Sequence, residues 1–475
     1  MSNLAKNTAF LTAASIAQKA VAFIYFALLA RTLGKESVGV YFLTLATITS
    51  VAVFADLGVT SVLIRDIAAD RLRAASILQK TLGVKCWAIL LAVLLAVVFP
   101  MTLSNDPAGW QLVWLAIPIM IADSLSLTFY GVLRGIEELR YESMGIFVGQ
   151  SLSTIAGAMV IFSHDASLPL LIGALSIGSI WNAGFSAYHV ARRLQRSAFL
   201  PRFEHMRPVI VAAFPFFLAA VFVKIYSSVD SFTLKAVIGD AAVGLYSVAY
   251  KLTYAFQFLP LAFIGALYPR MSSVANDPVE LKRTFLNAQW YLALLVSPIV
   301  FGIAALAPEI IQTVYGDGYI DSILPLTILI FVLLPIFFDF PIGSLLNATG
   351  RQMTKTKIMG ATMLINIAIN IVLIPRIGIP GASIASIISF IAMFGMGIWV
   401  LRRIIPITTG EWFRTIGGFI GSGIAMMFVV LALKSTMPWI ATIPIGALVF
   451  AALSIATRSI TKAHWRHARQ LMHRS

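Results

Sequence analysis

Cysteine is almost missing from this chain: Cys86 is the single one in 475 residues. An intramolecular disulfide, a thiolate zinc site and an iron–sulfur centre are thereby excluded. Charge is scarce as well, at 12% of residues, and acids are the scarcer sign, 20 against 35 bases. No polar stretch between the apolar runs is long enough for a soluble catalytic domain. There is no Gly-x-x-x-x-Gly-Lys-Ser/Thr, no His-Glu-x-x-His and no nucleophile elbow in a strand context, so nothing here hydrolyses ATP or peptides by a familiar route.

What is abundant is apolar surface, 59% of residues with a mean hydropathy of +0.90. A bilayer core of roughly 30 Å takes about 20 apolar residues in helical form, and such stretches recur along the whole chain. The pattern predicts an all-α integral membrane protein of about fourteen helices. They are expected near 8–30, 40–64, 84–103, 110–133, 144–163, 168–190, 209–236, 242–268, 285–306, 323–347, 358–374, 382–401, 415–433 and 439–457. The first apolar stretch is full length and has no cleavage pattern after it, so it reads as a retained helix and not an export signal.

Lys and Arg gather in loops that stay cytoplasmic. Here Arg65/Arg71/Arg73, Arg192/Arg193/Arg196/Arg202/Arg207, Lys282/Arg283, Arg351/Lys355/Lys357 and Arg402/Arg403 all fall on one side. Both termini are therefore predicted cytoplasmic, in a multi-pass protein of the inner membrane. The net charge of +15 then reads as topology and not as a nucleic-acid footprint, because it is spread over short loops. From Arg458 to Ser475 the bases alternate with Ile460, Trp465, Leu471 and Met472, which suggests a helix lying on the cytoplasmic leaflet and drawn to anionic lipid. His464 and His467 lack carboxylate or Cys companions, and no metal is expected.

An internal repeat appears at an offset of 205 residues. Gly34-Lys-Glu-Ser-Val38-Gly39-Val-Tyr41 matches Gly239-Asp-Ala-Ala-Val243-Gly244-Leu-Tyr246, and the same shift carries Lys19 onto Lys224 and Arg65 onto Arg270. A shift near 212 relates Gly131-Val-Leu to Gly343-Ser-Leu at the ends of helices four and ten. Two six-helix halves in the same orientation are implied, a parallel repeat of the kind found in alternating-access transporters. The expected organisation is a lobe at 1–205, a lobe at 206–405, a terminal helix pair at 406–457 and a basic tail at 458–475.

Three groups of residues carry a family resemblance: Ala30-Arg31-Thr-Leu-Gly34-Lys-Glu-Ser-Val-Gly39-Val-Tyr41, Asp56-Leu-Gly58 with Arg65-Asp66, and Gly378-Ile-Pro-Gly381-Ala-Ser383-Ile-Ala-Ser386. With them the chain resembles the Wzx-type polysaccharide flippases over nearly its whole length. That resemblance implies a two-lobed, V-shaped fold shared with multidrug exporters and the lipid II flippase, plus two C-terminal helices. It implies a carrier of undecaprenyl-diphosphate-linked oligosaccharide, as in O-antigen and lipopolysaccharide assembly, that is not an enzyme and has no cofactor. Its expected partners are the lipid-linked oligosaccharide, membrane lipids and other polysaccharide assembly proteins.

Charged groups at the bilayer core are costly, so each is a functional candidate. Lys19 lies about eleven residues into the first helix, roughly 16 Å along its axis and close to the midplane. Its mate Lys224 lies in helix seven and Lys251 in helix eight, while Arg65 and Arg270 close helices two and eight. Together these five form a cationic track suited to a pyrophosphate, Arg by bidentate bonding and Lys as a compact charge. For the two arginines, anchoring at the cytoplasmic interface is the competing reading. Lys85, beside the expected start of helix three, reads as a lysine that snorkels to the interface and stays outside the set. Asp56, Asp123, Asp230 and Asp339 either bind a coupling proton or sodium ion or neutralise the lysines.

Asn366 and Asn370, spaced i, i+4, suit a hydrogen-bonded seam between helices, and Gly131-xxx-Gly135 and Gly417-xxx-Gly421 read as close helix packing. Pro118, Pro215, Pro260, Pro298, Pro325, Pro335 and Pro341 are expected to bend the helices that contain them. The rivals to the flippase are a multidrug exporter on the same fold, which would need an acidic cavity for organic cations, and a membrane polysaccharide polymerase or ligase. The second would need a large external loop, and the longest expected one is 307–322.

Overall fold

The computed structural model describes residues 3–103, 107–163, 166–204 and 206–460, and the expected tail helix falls, beyond Ile460, outside the described residues. Among the described residues all regular structure is helical. Two compact units divide near residue 247. The first holds α1 (Asn3–Asp56), α2 (Val59–Ala69), α3 (Ala74–Leu103), α4 (Pro107–Leu115), α5 (Ile117–Gly135), α6 (Leu139–Phe162), α7 (Leu168–Ala191) and α8 (Met206–Val237). α9 (Asp240–Ala255) crosses the division. The second unit continues with α10 (Phe258–Ser273), α11 (Pro278–Tyr315), α12 (Ile323–Leu329), α13 (Leu333–Ala348), α14 (Gln352–Ile377), α15 (Ile379–Leu401), α16 (Thr409–Leu433) and α17 (Trp439–Ala456).

Thirteen helical segments are long and apolar enough to cross a membrane among the described residues. The first of them bends at Gly34, whose φ of 75° and ψ of 165° break the helical run in a conformation that glycine adopts without a Cβ clash. That break makes two crossings of one segment, fourteen in all, which is the predicted number. Large apolar side chains such as Leu90, Leu94, Phe147, Met159, Phe162 and Leu448 face outward, as a lipid-facing surface requires.

The second and fourth helices of each half are broken. In the first half the breaks fall at Leu57–Gly58 and at Ala116; in the second they fall at 256–257 and at the 3₁₀ turn Ile330–Val332. Proline chemistry explains three of them. Pro118, Pro260 and Pro335 each lie in the first turn after a break, where a missing N–H leaves no hydrogen bond unmade. Pro215, Pro298 and Pro341 instead lie inside continuous helices.

Inside the first unit, small residues let helices approach closely. Ala55, Ala92, Ala96 and Ala116 are fully buried in one apolar cluster with Ile48, Leu112 and Met120. A Cβ at Gly131 would meet Leu63 and Thr60 at 3.0 Å, and one at Gly135 would meet Ile67 at 2.7 Å, so this pair packs α5 on α2 as expected. Gly417 and Gly421 differ from expectation, since a Cβ at either would meet nothing within 4 Å among the described residues. The packing glycines of α16 are Gly418, against Ser459, and Gly423, against the Phe301 ring, while Gly417 and Gly421 share an open face of the helix. Asn366 and Asn370 do form the seam: Asn370 donates to the Asn366 backbone oxygen at 2.9 Å, and Asn366 donates to Ser389 Oγ of α15 at 3.2 Å.

The repeat is also visible in three dimensions. A Cβ on Gly39 would fall 2.8 Å from the Asp240 carbonyl carbon and 2.9 Å from the Gly244 nitrogen. One on Gly244 would fall 2.8 Å from the Lys35 carbonyl carbon and 3.1 Å from the Gly39 nitrogen. Gly39 therefore meets Asp240 and its own repeat mate Gly244, and Gly244 meets Lys35 and Gly39 in return, as a local two-fold axis between the two glycines demands.

Elsewhere the chain departs from its hydropathy. α3 begins at Ala74, ten residues before the expected 84, and α11 runs to Tyr315, so the expected 307–322 loop is almost wholly helical. Pro308 does not end α11, and Glu309, one residue on, is held at 3.0 Å by Lys434, the C-cap residue just after α16. Entry into α16 is set by a capping box in which Thr408 and Glu411 bond each other's backbone N–H. Thr408→Ala is expected to cost about 1 kcal/mol, read as a lower midpoint in thermal unfolding of the full-length protein.

Candidate functional site

The charged residues inside the bundle separate into buried pairs and groups that border open space. Lys85 is the most buried of them, with 1% of its side chain exposed. It donates to Asp56 and Ser124 Oγ, both at 2.8 Å, and to the Ser124 carbonyl at 3.0 Å, which uses all three ammonium protons. Thr60 adds a hydrogen bond to the same Asp56 oxygen at 2.5 Å, and Ser124 Oγ donates to the Ala55 carbonyl at 3.1 Å. This network stands at the α1–α2 break, where Leu57 and Gly58 both have positive φ. The expectation that Lys85 snorkels to an interface is therefore wrong: because α3 starts at Ala74, Lys85 lies well inside the helix, and its charge is met by Asp56 instead of water.

Asp339 is likewise taken. It pairs with Lys355 of α14, both nearly buried, while its other oxygen, Oδ1, is buried without a hydrogen-bond partner among the described residues and lies beside Gly397 of α15. The first unit has a counterpart in which the signs are exchanged. There Glu142, the fourth residue of α6, accepts from Arg134 of α5 through both carboxylate oxygens; Lys355 is the fourth residue of α14 and pairs with an acid of α13. Helices four and five, and ten and eleven, are thus each joined by an ion pair of opposite polarity, the first with Glu142 buried and Arg134 partly exposed, the second nearly buried on both sides. Hydropathy carries no sign of these partners, since a pair cancels only when its helices meet.

The remaining acids are placed differently. Asp230 is buried on α8 and accepts from the Tyr246 hydroxyl at 2.7 Å. Asp123, on α5, is exposed.

The cationic candidates do not all share one environment. Lys19 is half-buried on α1 and makes no ion pair among the described residues. Lys224 is half-buried on α8 and lines a cavity of about 360 Å³ between α1, α3 and α8. Its other walls are Ser50, Val51, Val53, Phe54, Leu95, Phe99 and the apolar face of α8. Lys251 is exposed on the part of α9 that belongs to the second unit. Arg65 and Arg270 are both 59% exposed and hold neighbouring acids, Asp66 at 2.8 Å and Glu280 at 3.7 Å; Arg270 lies in the last turn of α10, and Arg65 one turn before the end of α2. Among the described residues, no group of three or more His, Cys, Asp and Glu is placed to hold a metal; His464 and His467 lie outside them.

Fourteen crossings in repeated, broken-helix halves, with an intramembrane lysine on the wall of an apolar cavity, define a multi-pass membrane protein of transporter type. The chain belongs to the family described as polysaccharide biosynthesis protein, which matches residues 4–275, a family of flippases within the multidrug/oligosaccharidyl-lipid/polysaccharide exporter superfamily. The MatE family matches residues 215–372. A relative in Haloferax volcanii, named "Probable low-salt glycan biosynthesis flippase Agl15", is 24% identical over 82% of this chain and 81% of its own length. The teichuronic acid biosynthesis protein TuaB of Bacillus subtilis is 24% identical over 64% of this chain and 65% of its own. A solved structure of the lipid II flippase MurJ in an inward closed conformation has the same fold, with a TM-score of 0.77 at 16% identity over 94% of this chain and 98% of that one.

Proposed function

We propose that this protein is a flippase for undecaprenyl-diphosphate-linked oligosaccharide repeat units, carrying them by alternating access from the cytoplasmic to the outer leaflet for surface polysaccharide synthesis. Lys224 carries the reading: it is a repeated intramembrane lysine on the wall of a cavity, in a chain whose relatives are named as glycan flippases and polysaccharide biosynthesis proteins. Lys19 and Lys224 hold the pyrophosphate, and Arg65, on the cytoplasmic side in this topology, captures the headgroup; Lys251 and Arg270 are the cationic candidates of the second unit. The positions of the basic loops support an inner-membrane protein with both termini cytoplasmic. An inside-negative potential then favours outward movement of the anion by about 2.3 kcal/mol per elementary charge per 100 mV.

The test is flipping of a labelled polyprenyl-diphosphate sugar in proteoliposomes. A hydrogen bond to a charged group contributes about 1.5–3 kcal/mol. Lys19→Ala/Lys224→Ala is therefore expected to lower flipping by about 100-fold or more while the protein stays folded. Normal flipping by that folded variant would remove the proposed site. Transport of an organic cation in place of the lipid-linked sugar would instead support a multidrug exporter, and elongation of the glycan a polymerase.

A further inference from the structure

The cavity beside Lys224 is far more apolar than a sugar or a pyrophosphate requires. Apart from Ser50 and Lys224 its walls are hydrocarbon and aromatic, among them Phe54, Leu95, Phe99 and Phe232, with Phe99 and Phe232 edge to face at 5.7 Å. The Ser50 hydroxyl is turned toward Ser228, 3.4 Å away, across the α1–α8 contact. An apolar cavity of this kind repels water and accepts an apolar guest. Its volume, about 360 Å³, lies in the range of roughly 300–1,000 Å³ that small-ligand sites occupy.

Shape and charge identify the guest. Along α8 the lining runs from Val221 to Phe232, about 16 Å at 1.5 Å per residue. Along that wall Lys224 lies nearer one end and Phe232, with Phe99 against it, lies at the other, while Phe54 packs on Phe217 at the Lys224 end. A chain with an anionic head fits that plan, and a compact drug does not.

We infer that this cavity is the binding site for the head-proximal isoprene units of the polyprenyl chain, with the attached diphosphate on Lys224. The inference rests on the functional reading above. In the topology proposed there, Phe99 and Phe232 lie toward the outer ends of α3 and α8, and Lys224 lies deeper. A lipid from the cytoplasmic leaflet has its chain pointing away from the cytoplasm, and the cavity keeps that direction. It therefore receives cargo that has entered from the cytoplasmic side and has not yet inverted.

Full-length protein in nanodiscs is titrated with a C55 polyprenyl-diphosphate N-acetylglucosamine and, separately, with a chain-free sugar diphosphate. Val229→Phe, which fills the cavity, is expected to weaken C55 binding at least tenfold and to leave the chain-free ligand unchanged. Lys224→Ala is expected to weaken both. A C55 probe with a photoreactive group in its second isoprene should label the 50–54, 95–99 and 221–232 segments of the unsubstituted protein, and unlabelled C55 lipid but not phospholipid should compete. Labelling elsewhere, or equal competition by phospholipid, overturns the inference, as does C55 binding indifferent to Val229→Phe. If the unsubstituted protein binds no polyprenyl-diphosphate sugar at all, it is the functional reading that fails.

Discussion

Lys85→Met is expected to destabilise the protein by about 3–5 kcal/mol, the usual consequence of removing one partner from a buried ion pair. Asp56 would keep its charge with only Thr60 as a donor, and Ser124 would lose two contacts at once. The double variant Asp56→Leu/Lys85→Met is expected to recover most of the loss, because an apolar pair of similar volume needs no desolvation of charge. Thermal unfolding in detergent, followed by loss of monodisperse protein, measures both. A single variant as stable as the unsubstituted chain would show that the pair does not constrain the α1–α2 break.

Gly39→Leu and Gly244→Leu are expected to have the second-largest effect, and nearly the same one. Each new Cβ would meet backbone of the opposing helix at 2.8–2.9 Å or closer, and backbone cannot swing aside as a long side chain does. Overpacking of this kind costs about 1–3 kcal/mol and occasionally more. Because the contact is reciprocal, either substitution separates the same two helices, so the double variant should fall well short of the sum. Gly173→Ala and Gly184→Ala provide the contrast: both are helical on α7, and a Cβ there would meet nothing within 4 Å. They should be neutral or stabilising by about 0.5–1 kcal/mol. Additive losses at Gly39 and Gly244, or equal losses at Gly173, would sink the two-fold contact.

Much of the fold was legible beforehand, and the failures share one cause. Hydropathy found all fourteen crossings because transfer to lipid depends on composition summed over a helix. It misplaced the start of α3 because Gln79, Lys80 and Thr81 dilute the first turns, although the backbone there is as helical as the rest. That error displaced Lys85 to an interface it does not occupy. The end of α11 was missed in the same way, since Pro308 and Glu309 look like a terminus until Lys434, just after α16, is brought to Glu309. Of the prolines expected to bend helices, Pro118, Pro260 and Pro335 stand just after a break while Pro215, Pro298 and Pro341 lie inside continuous helices, a difference of turn position that only the backbone reveals.

The candidate site divides similarly. Lys19 and Lys224 were visible because a repeat makes two costly residues coincide, and Gly39 and Gly244 because the same repeat makes two glycines coincide. Arg65 and Arg270 were recognisable as basic helix ends and are exposed beside acids, while Asp56 and Asp339 were recognisable as buried acids without any indication of which lysine each would meet.

Membrane residence, the number of crossings, the side on which bases gather and the doubling of the chain all follow from residue order, because each is a sum or a period along one dimension. The partners of Asp56, Asp339 and Glu142, the reciprocal contact of Gly39 with Gly244, and the apolar cavity beside Lys224 came only with the folded helices. Each depends on residues of different helices, from eight positions apart for Arg134 and Glu142 to 205 for Gly39 and Gly244, meeting within a few ångströms, and a sequence read in one dimension holds no such distance.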